Sequence, residues 1–197
     1  MKTSGNILFS GVGGQGILLA SEITVYALLE CGYDAKKSEV HGMAQRGGSV
    51  VAHLRYGKKV YSPLIEPGEA DITVAFEMME AVRYLPFYKK ACKVIVNTHH
   101  IDPPMVAIGK IPYPTGLLEE LEKRNIATFP VDGFAIAKSV GEIRSANLAM
   151  VGALSTFLPI EEEVFLDVLK KRVPRKIDEN IQAFLEGRKI TSKENKS

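Results

Sequence analysis

Two stretches of this chain carry residue types at spacings that suit a bound anion. The first, SGVGGQG, sets Gly11, Gly13 and Gly16 at G-x-G-x-x-G spacing, with Gly14 and Gln15 inside the turn. After a strand and at a helix opening, that spacing has a physical use. Gly11 permits the tight turn, Gly13 lets backbone approach a phosphate, and Gly16 lets the helix pack on the strand. Amide groups at the helix start then face a negative charge. A tight turn with no ligand would use the same residues. The second stretch runs from His41 through Gln45, Arg46, Gly47 and Gly48 to Ser49. Adjacent glycines can fold into a concave row of amide donors, and an arginine beside them adds a fixed cationic fork. The alternative is a structural turn with Arg46 in solvent. Gly11, Gly13, Gly14, Gln15, Gly16, His41, Gln45, Arg46, Gly47, Gly48 and Ser49 are therefore the candidate cofactor-binding residues. No catalytic or metal-ligating residue is assigned.

The elements that must hold these stretches follow from hydrophobic patterning. NILFS, residues 6–10, reads as a buried strand, and residues 15–30 as a helix stopped at Gly32, which suits a left-handed cap. That helix is apolar nearly all round, so a further layer of this chain or a partner should cover it. Residues 34–42, DAKKSEVHG, make a polar strand expected to be short or at the sheet edge. Residues 49–64 suggest a hairpin turning at Gly57 and Lys58, which would make the sheet mixed. Strands are expected over 72–76, 93–98 and 127–132, with a helix following the first of them through about Tyr84 and another over 116–123. Pro103, Pro104, Pro112 and Pro114 mark a loop. Helices follow over 145–158, 161–171 and 176–186. Ser145 or Asn147 is able to cap the first of them, and Pro174 separates the last two. The expectation is an α/β chain folded as a three-layer Rossmann-like sandwich, with a mixed, mostly parallel sheet and a helical C-terminal part. One domain should span 1–187, and the polar residues 188–197 should fray as a flexible tail.

Composition narrows the function classes. The 197 residues suit one domain, and a net charge of +2 offers nothing to draw in nucleic acid or an anionic membrane. No apolar run approaches the ~18 residues of a membrane span. Glycines at 11, 13, 14 and 16 break the apolar N-terminal run, so it does not read as a secretory signal and the cytoplasm is the expected location. The two cysteines, Cys31 and Cys92, read as small buried core residues. They fall short of the about four thiolates that an iron–sulfur cluster takes. A dinucleotide site would add an acid ~20 residues past the glycines, at the end of the second strand. Asp34 has about that separation from Gly16 (34 − 16 = 18) but opens the second strand instead. The turn therefore reads as anion-facing more than as an NAD site. His99, His100 and Asp102 follow a strand, but adjacent histidines diverge, so a polar loop or cap is expected there rather than a metal site. Asp132 and Gly133 read as a turn or cap.

The ordered set GVGGQG (11–16), EVHGMAQRGGSVVAHLR (39–55), EADITVAFEMMEA (69–81) and NLAMVGAL (147–154) resembles the γ-type subunit or domain of 2-oxoacid:ferredoxin oxidoreductases. The SEVHGMAQRGGSV form is most similar to the small β subunit of the indolepyruvate branch. The resemblance implies an oxidoreductase subunit, inactive without its partner, that supports oxidative decarboxylation of an arylpyruvate to an acyl-CoA with reduction of ferredoxin. It implies that thiamine diphosphate, magnesium and iron–sulfur clusters sit on a large partner subunit. This chain would hold no cofactor alone, would contact coenzyme A or shape the surface beside it, and would meet ferredoxin only through the complex. An isolated copy could self-associate through its apolar patch. Two alternatives remain open at this point. One is a γ subunit of a pyruvate, 2-oxoglutarate or branched-chain 2-oxoacid enzyme. The other is a free-standing NAD-dependent dehydrogenase.

Overall fold

The computed structural model describes residues 4–41, 48–102 and 104–194. Strand β1 (Gly5–Val12) leads through the glycine turn into helix α1 (Ile17–Glu30). Then come β2 (Asp34–His41), β3 (Ser49–Gly57), β4 (Ala70–Ala75), α2 (Met78–Arg83) and β5 (Tyr88–Asn97). The chain continues through α3 (Pro104–Ala107), α4 (Leu117–Lys123), β6 (Ala127–Val131) and α5 (Gly133–Ser139). It ends in α6 (Ala146–Ser155), α7 (Glu162–Arg172) and α8 (Ile177–Glu194).

The six strands form one sheet in the order β2-β3-β1-β4-β5-β6. β1, β4, β5 and β6 pair in parallel, while β3 runs antiparallel to both β1 and β2. Alternation along the strands divides the core in two. Ile7, Phe9, Ala52, Leu54, Ile72 and Val74 face α1, α6, α7 and α8. Leu8, Val51, Val94 and Val96 face α2, α4 and the segment around Ile65. Helices on both faces make three layers, the architecture that the strand–helix alternation implies.

The expected hairpin over 49–64 does not form. Residues 58–69 contain no strand, and β3 pairs instead with β1, Val12 opposite Ser49, and with β2, His41 opposite Val50. The sheet is mixed as expected, but through insertion of β3 between β1 and β2. β2 lies at the edge, as its polarity requires, yet at eight residues it is not short. A row of Lys36, Lys37 and Glu39 on an outer strand is a common means of blunting an edge.

The over-apolar helix α1 is covered by this chain. One side lies on the sheet, and α6 and α7 lie against others. Leu18 and Leu29 stay exposed. Cys31, expected in the core, is exposed, because α1 ends there in an exposed run from Leu29 to Gly32. Cys92 is buried as expected. Helix α8 runs past Gly187 to Glu194, eight residues beyond the end expected at 186. A Cβ at Gly187 would collide with the Ala149 carbonyl, and one at Gly152 with the Phe184 carbonyl. The two glycines thus let α6 and α8 touch backbone to backbone. Thr191, fully buried, donates to the Ala153 carbonyl and extends the contact past Gly187.

Candidate functional site

The strand directions bring the first glycine turn and the described ends of the second stretch, the His41 backbone and Gly48–Ser49, to one edge of the sheet. Gly11, Val50 and His41 stand in one row across β1, β3 and β2. The Gly13 amide donates to the Gly48 carbonyl at 2.9 Å, tying the first turn to the residue before β3. Gln45, Arg46 and Gly47 lie outside the described residues, and of His41 only the backbone is placed. The edge is that of the C-terminal ends of β1, β4, β5 and β6, where an open α/β sheet offers its crevice to ligands.

Gln15 is the clamp of the first turn. Its Oε1 accepts from the Val12 amide at 2.7 Å, and its Nε2 donates to the Phe76 carbonyl at 2.7 Å. Both ends of the carboxamide are spent on holding the turn against the end of β4. Gly16 has a φ of 77° and precedes α1 with no side-chain cap, and the first turn of α1 carries no acid. The first intrahelical bond is the Ala20 amide to the Gly16 carbonyl, so the amides of Ile17, Leu18 and Leu19 have no intrahelical partner. They supply the partial positive charge of the edge.

Asn147, on α6, settles beneath this turn. Its Nδ2 donates to the Gly16 carbonyl at 3.2 Å, and its carboxamide occupies the space that a Cβ on residue 16 would need. Asn147 is 4% exposed and its Oδ1 is buried without a partner. Of the two residues expected as caps for α6, Asn147 is thus a lock on the glycine turn and Ser145 donates to the Glu142 carbonyl instead, so no side chain caps α6. Gly13, expected to approach a phosphate, has its amide committed to Gly48, which leaves the helix-start amides as the backbone donors without an intrahelical partner at this turn.

A second set of polar groups completes the edge. Ser49 Oγ donates to Glu80 Oε2 at 2.5 Å and lies 3.3 Å from the Tyr84 hydroxyl. Arg83 Nε donates to the other Glu80 oxygen at 2.8 Å. Glu77, 1% exposed, caps α2 by accepting from the Met79 amide at 2.7 Å, and Tyr113 donates its hydroxyl to the same carboxylate. Burial, with the Glu77 carboxylate beside it, pushes the Tyr113 phenol far above its ordinary range, so it remains a donor at neutral pH. These buried carboxylates are satisfied by donors from three separate segments, as buried charge must be. The sequence reading did not single out Glu77, although an acid just before a helix, at the end of a strand, could have marked it as a cap. Nothing local marks Tyr113, which reaches Glu77 from 36 positions away.

The neighbouring polar loop carries no metal geometry. His99 stacks on Phe134 at 4.3 Å between centroids, while His100 lies 3.5 Å from Asp102 and packs on Tyr113. The two rings diverge, and the described residues contain no His, Cys, Asp or Glu group arranged for a metal ion. Asp132 caps α5 through the Ala135 amide at 2.8 Å, as expected.

A dinucleotide site finds no support in this geometry. β3 stands where the second parallel strand of such a site would neighbour β1. Asp34 lies at the opposite edge, where the Val60 amide and Lys36 hold its carboxyl below the ordinary value. Glu39, near the end of β2, pairs with Lys37.

Comparison with known proteins agrees with this arrangement. The family described as "Pyruvate ferredoxin/flavodoxin oxidoreductase" matches residues 6–190. The chain is 40% identical over 187 residues to indolepyruvate oxidoreductase subunit IorB of Thermococcus kodakarensis, covering 91% of this chain and 92% of that one. Its fold is similar to the γ subunit of a keto/oxoacid ferredoxin oxidoreductase of Geobacter sulfurreducens, with a TM-score of 0.71, 22% identity, and coverage of 95% and 98%. It is also similar to part of the 2-oxoglutarate:ferredoxin oxidoreductase of Magnetococcus marinus, solved with 2-oxoglutarate, coenzyme A and succinyl-CoA. There the TM-score is 0.76 at 20% identity, over 98% of this chain and 32% of that one.

Proposed function

We propose a function from one premise: this chain belongs to the pyruvate ferredoxin/flavodoxin oxidoreductase family. It is the non-thiamine subunit of an indolepyruvate-type, arylpyruvate-oxidising enzyme. That enzyme converts a 2-oxoacid and coenzyme A to an acyl-CoA and carbon dioxide, passing electrons to ferredoxin. The observation that carries this reading is the 40% identity to an IorB subunit across nearly the full length of both chains.

Thiamine diphosphate, magnesium and iron–sulfur clusters supply decarboxylation and electron transfer from the large partner subunit. The residues of this chain support that division. Cys31 and Cys92 sit on separate elements, one exposed and one in the core, and cannot converge with further thiolates. What the chain contributes is a braced surface with a positive bias. Gln15 and Asn147 hold the glycine turn, and Glu80 holds Ser49, three residues after Arg46 in the sequence. Coenzyme A carries a pyrophosphate and a 3′-phosphate, which suit helix-start amides and an arginine. The Magnetococcus structure, with coenzyme A bound, makes the same ligand the first to test.

The test is co-expression with the large subunit, followed by assays of several 2-oxoacids with coenzyme A and ferredoxin. The expected result is a stable complex that prefers arylpyruvates and loses apparent coenzyme A affinity on Arg46→Ala. Unchanged affinity would restrict Arg46 to an interface role. Preference for 2-oxoglutarate or pyruvate would move the chain to a sister branch of the family. Turnover by this chain alone would overturn the proposal.

A further inference from the structure

At the opposite edge of the sheet, remote from the glycine turn, a recess of about 330 Å³ opens between the starts of β1 and β4, the end of β3 and the α6–α7 connection. Neither the strand patterning nor the proposed function accounts for it. Its size falls in the range of sites for small organic ligands.

The walls are of two kinds. Ile7, Ile72, Leu158 and the Phe157 ring make an apolar side. Tyr56 lies across Gly5: a Cβ on residue 5 would stand 2.7 Å from the tyrosine ring, so the recess has this floor only because residue 5 is glycine. Tyr56 is neutral and able to donate, since burial, with Tyr33 and Asp71 nearby, pushes its phenol up to about 12. Asp71 accepts from the Asn6 amide at 2.9 Å and from Lys89 at 3.1 Å, so its charge is already answered.

Lys93 is different. Its Nζ stands over the Phe157 ring, 4.5 Å from the centroid, and among the described residues it pairs with no carboxylate. The carbonyl end of α6 favours a cation there, and the ring face adds to it. Neither supplies a counter-charge. Beyond the shared residues Gly5, Asn6, Tyr56 and Asp71, the recess widens into a groove bearing Lys58 and Lys59. A mouth with surplus positive charge raises the local concentration of anions.

We propose that this recess is a binding site for a small monocarboxylate with an aromatic or otherwise apolar body. The body lies against Phe157, Ile72 and Leu158, and the carboxylate meets the Lys93 ammonium. An ammonium over a ring, with an apolar wall beside it and a phenol donor opposite, matches that ligand class and disfavours neutral or cationic analogues. The site is independent of the oxidoreductase reading and is read out by binding alone.

The probe is 3-phenylpropionate, with neutral 3-phenylpropanamide as control, titrated into the full chain and followed by calorimetry and by melting temperature. Binding of the acid should raise the melting temperature. The acid should bind roughly tenfold more tightly than the amide, the size of one charge-assisted contact. Lys93→Met, which keeps the stem over the ring, should abolish that preference, and Lys93→Arg should retain it. The proposal is overturned if the wild-type chain binds no acid at millimolar concentration. It is equally overturned if acid and amide bind alike, if Lys93→Met leaves the preference intact, or if binding appears only after residues 1–3 are removed. That last result would make the recess the seat of the chain's own terminus.

Discussion

Substituting Gly16 offers the most direct examination of the glycine turn, because two separable penalties meet there. In Gly16→Ala the new methyl group must adopt a φ of 77°, the left-handed region. For a non-glycine residue this costs about 1–2 kcal/mol. The methyl group must also enter the space filled by the carboxamide of Asn147, a residue that is 4% exposed, coming within 2.4 Å of its Nδ2. Overpacking of that kind costs roughly 1–3 kcal/mol. The single substitution should therefore destabilise by about 2–5 kcal/mol. Asn147→Ala loses the bond to the Gly16 carbonyl but also removes the buried, unpartnered Oδ1, so it should cost no more than about 1 kcal/mol. In the double variant the collision vanishes and the backbone penalty remains. Urea denaturation of the four proteins should then show the double variant about 1–3 kcal/mol more stable than the sum of the singles predicts. Additivity within about 0.5 kcal/mol would refute the claim that Asn147 dictates glycine at position 16.

Three further outcomes follow from the same geometry. Gln15→Ala leaves the Val12 amide and the Phe76 carbonyl unpaired and should lower stability by about 2 kcal/mol, read as a reduced urea midpoint with unchanged m-value. His53 accepts from the Ile65 amide through Nδ1, and burial holds its pKa below the ordinary value. Because the folded pKa is the lower one, the unfolded chain binds the proton first. Stability is full above the unfolded value of about 6.5 and declines as the pH falls below it. His53→Asn should flatten that decline in melting temperature between about pH 6.5 and 5. Burial pushes the Cys92 thiol up to about 11, so a thiol reagent should label Cys31 in the folded protein and Cys92 only after denaturation. Labelling of both at equal rates would contradict the burial of β5.

The two halves of the chain were unequally legible. Strands β1 and β4 and the second half of β5 announce themselves as short apolar runs, because parallel strands covered on both faces tolerate little polarity, whereas β6 is an edge strand with only Val131 buried. The first-helix stop at Gly32 and the Asp132 cap rest on single residues with one structural use, and both appear where expected. Residues 49–64 misled, because Gly57 and Lys58 have turn chemistry but β3 has two better partners across the sheet. Gly187 misled in the other direction: a glycine amid polar residues resembles a helix end, yet here it admits the backbone of α6.

The candidate site divides the same way. Glycine spacing after a strand was sufficient to mark a tight turn between a strand and a helix start, because the three are contiguous and their geometry is local. The ordered motifs were likewise sufficient to mark the family. What holds the turn was decided elsewhere: Asn147 reaches Gly16 across 131 positions and Gln15 reaches Phe76 across 61. Ser49 reaches Glu80 across 31. Such contacts depend on the order of strands in the sheet and on which helix lands over which turn. Packing settles both, because it must bury two apolar faces at once, and no local run of residues encodes that outcome.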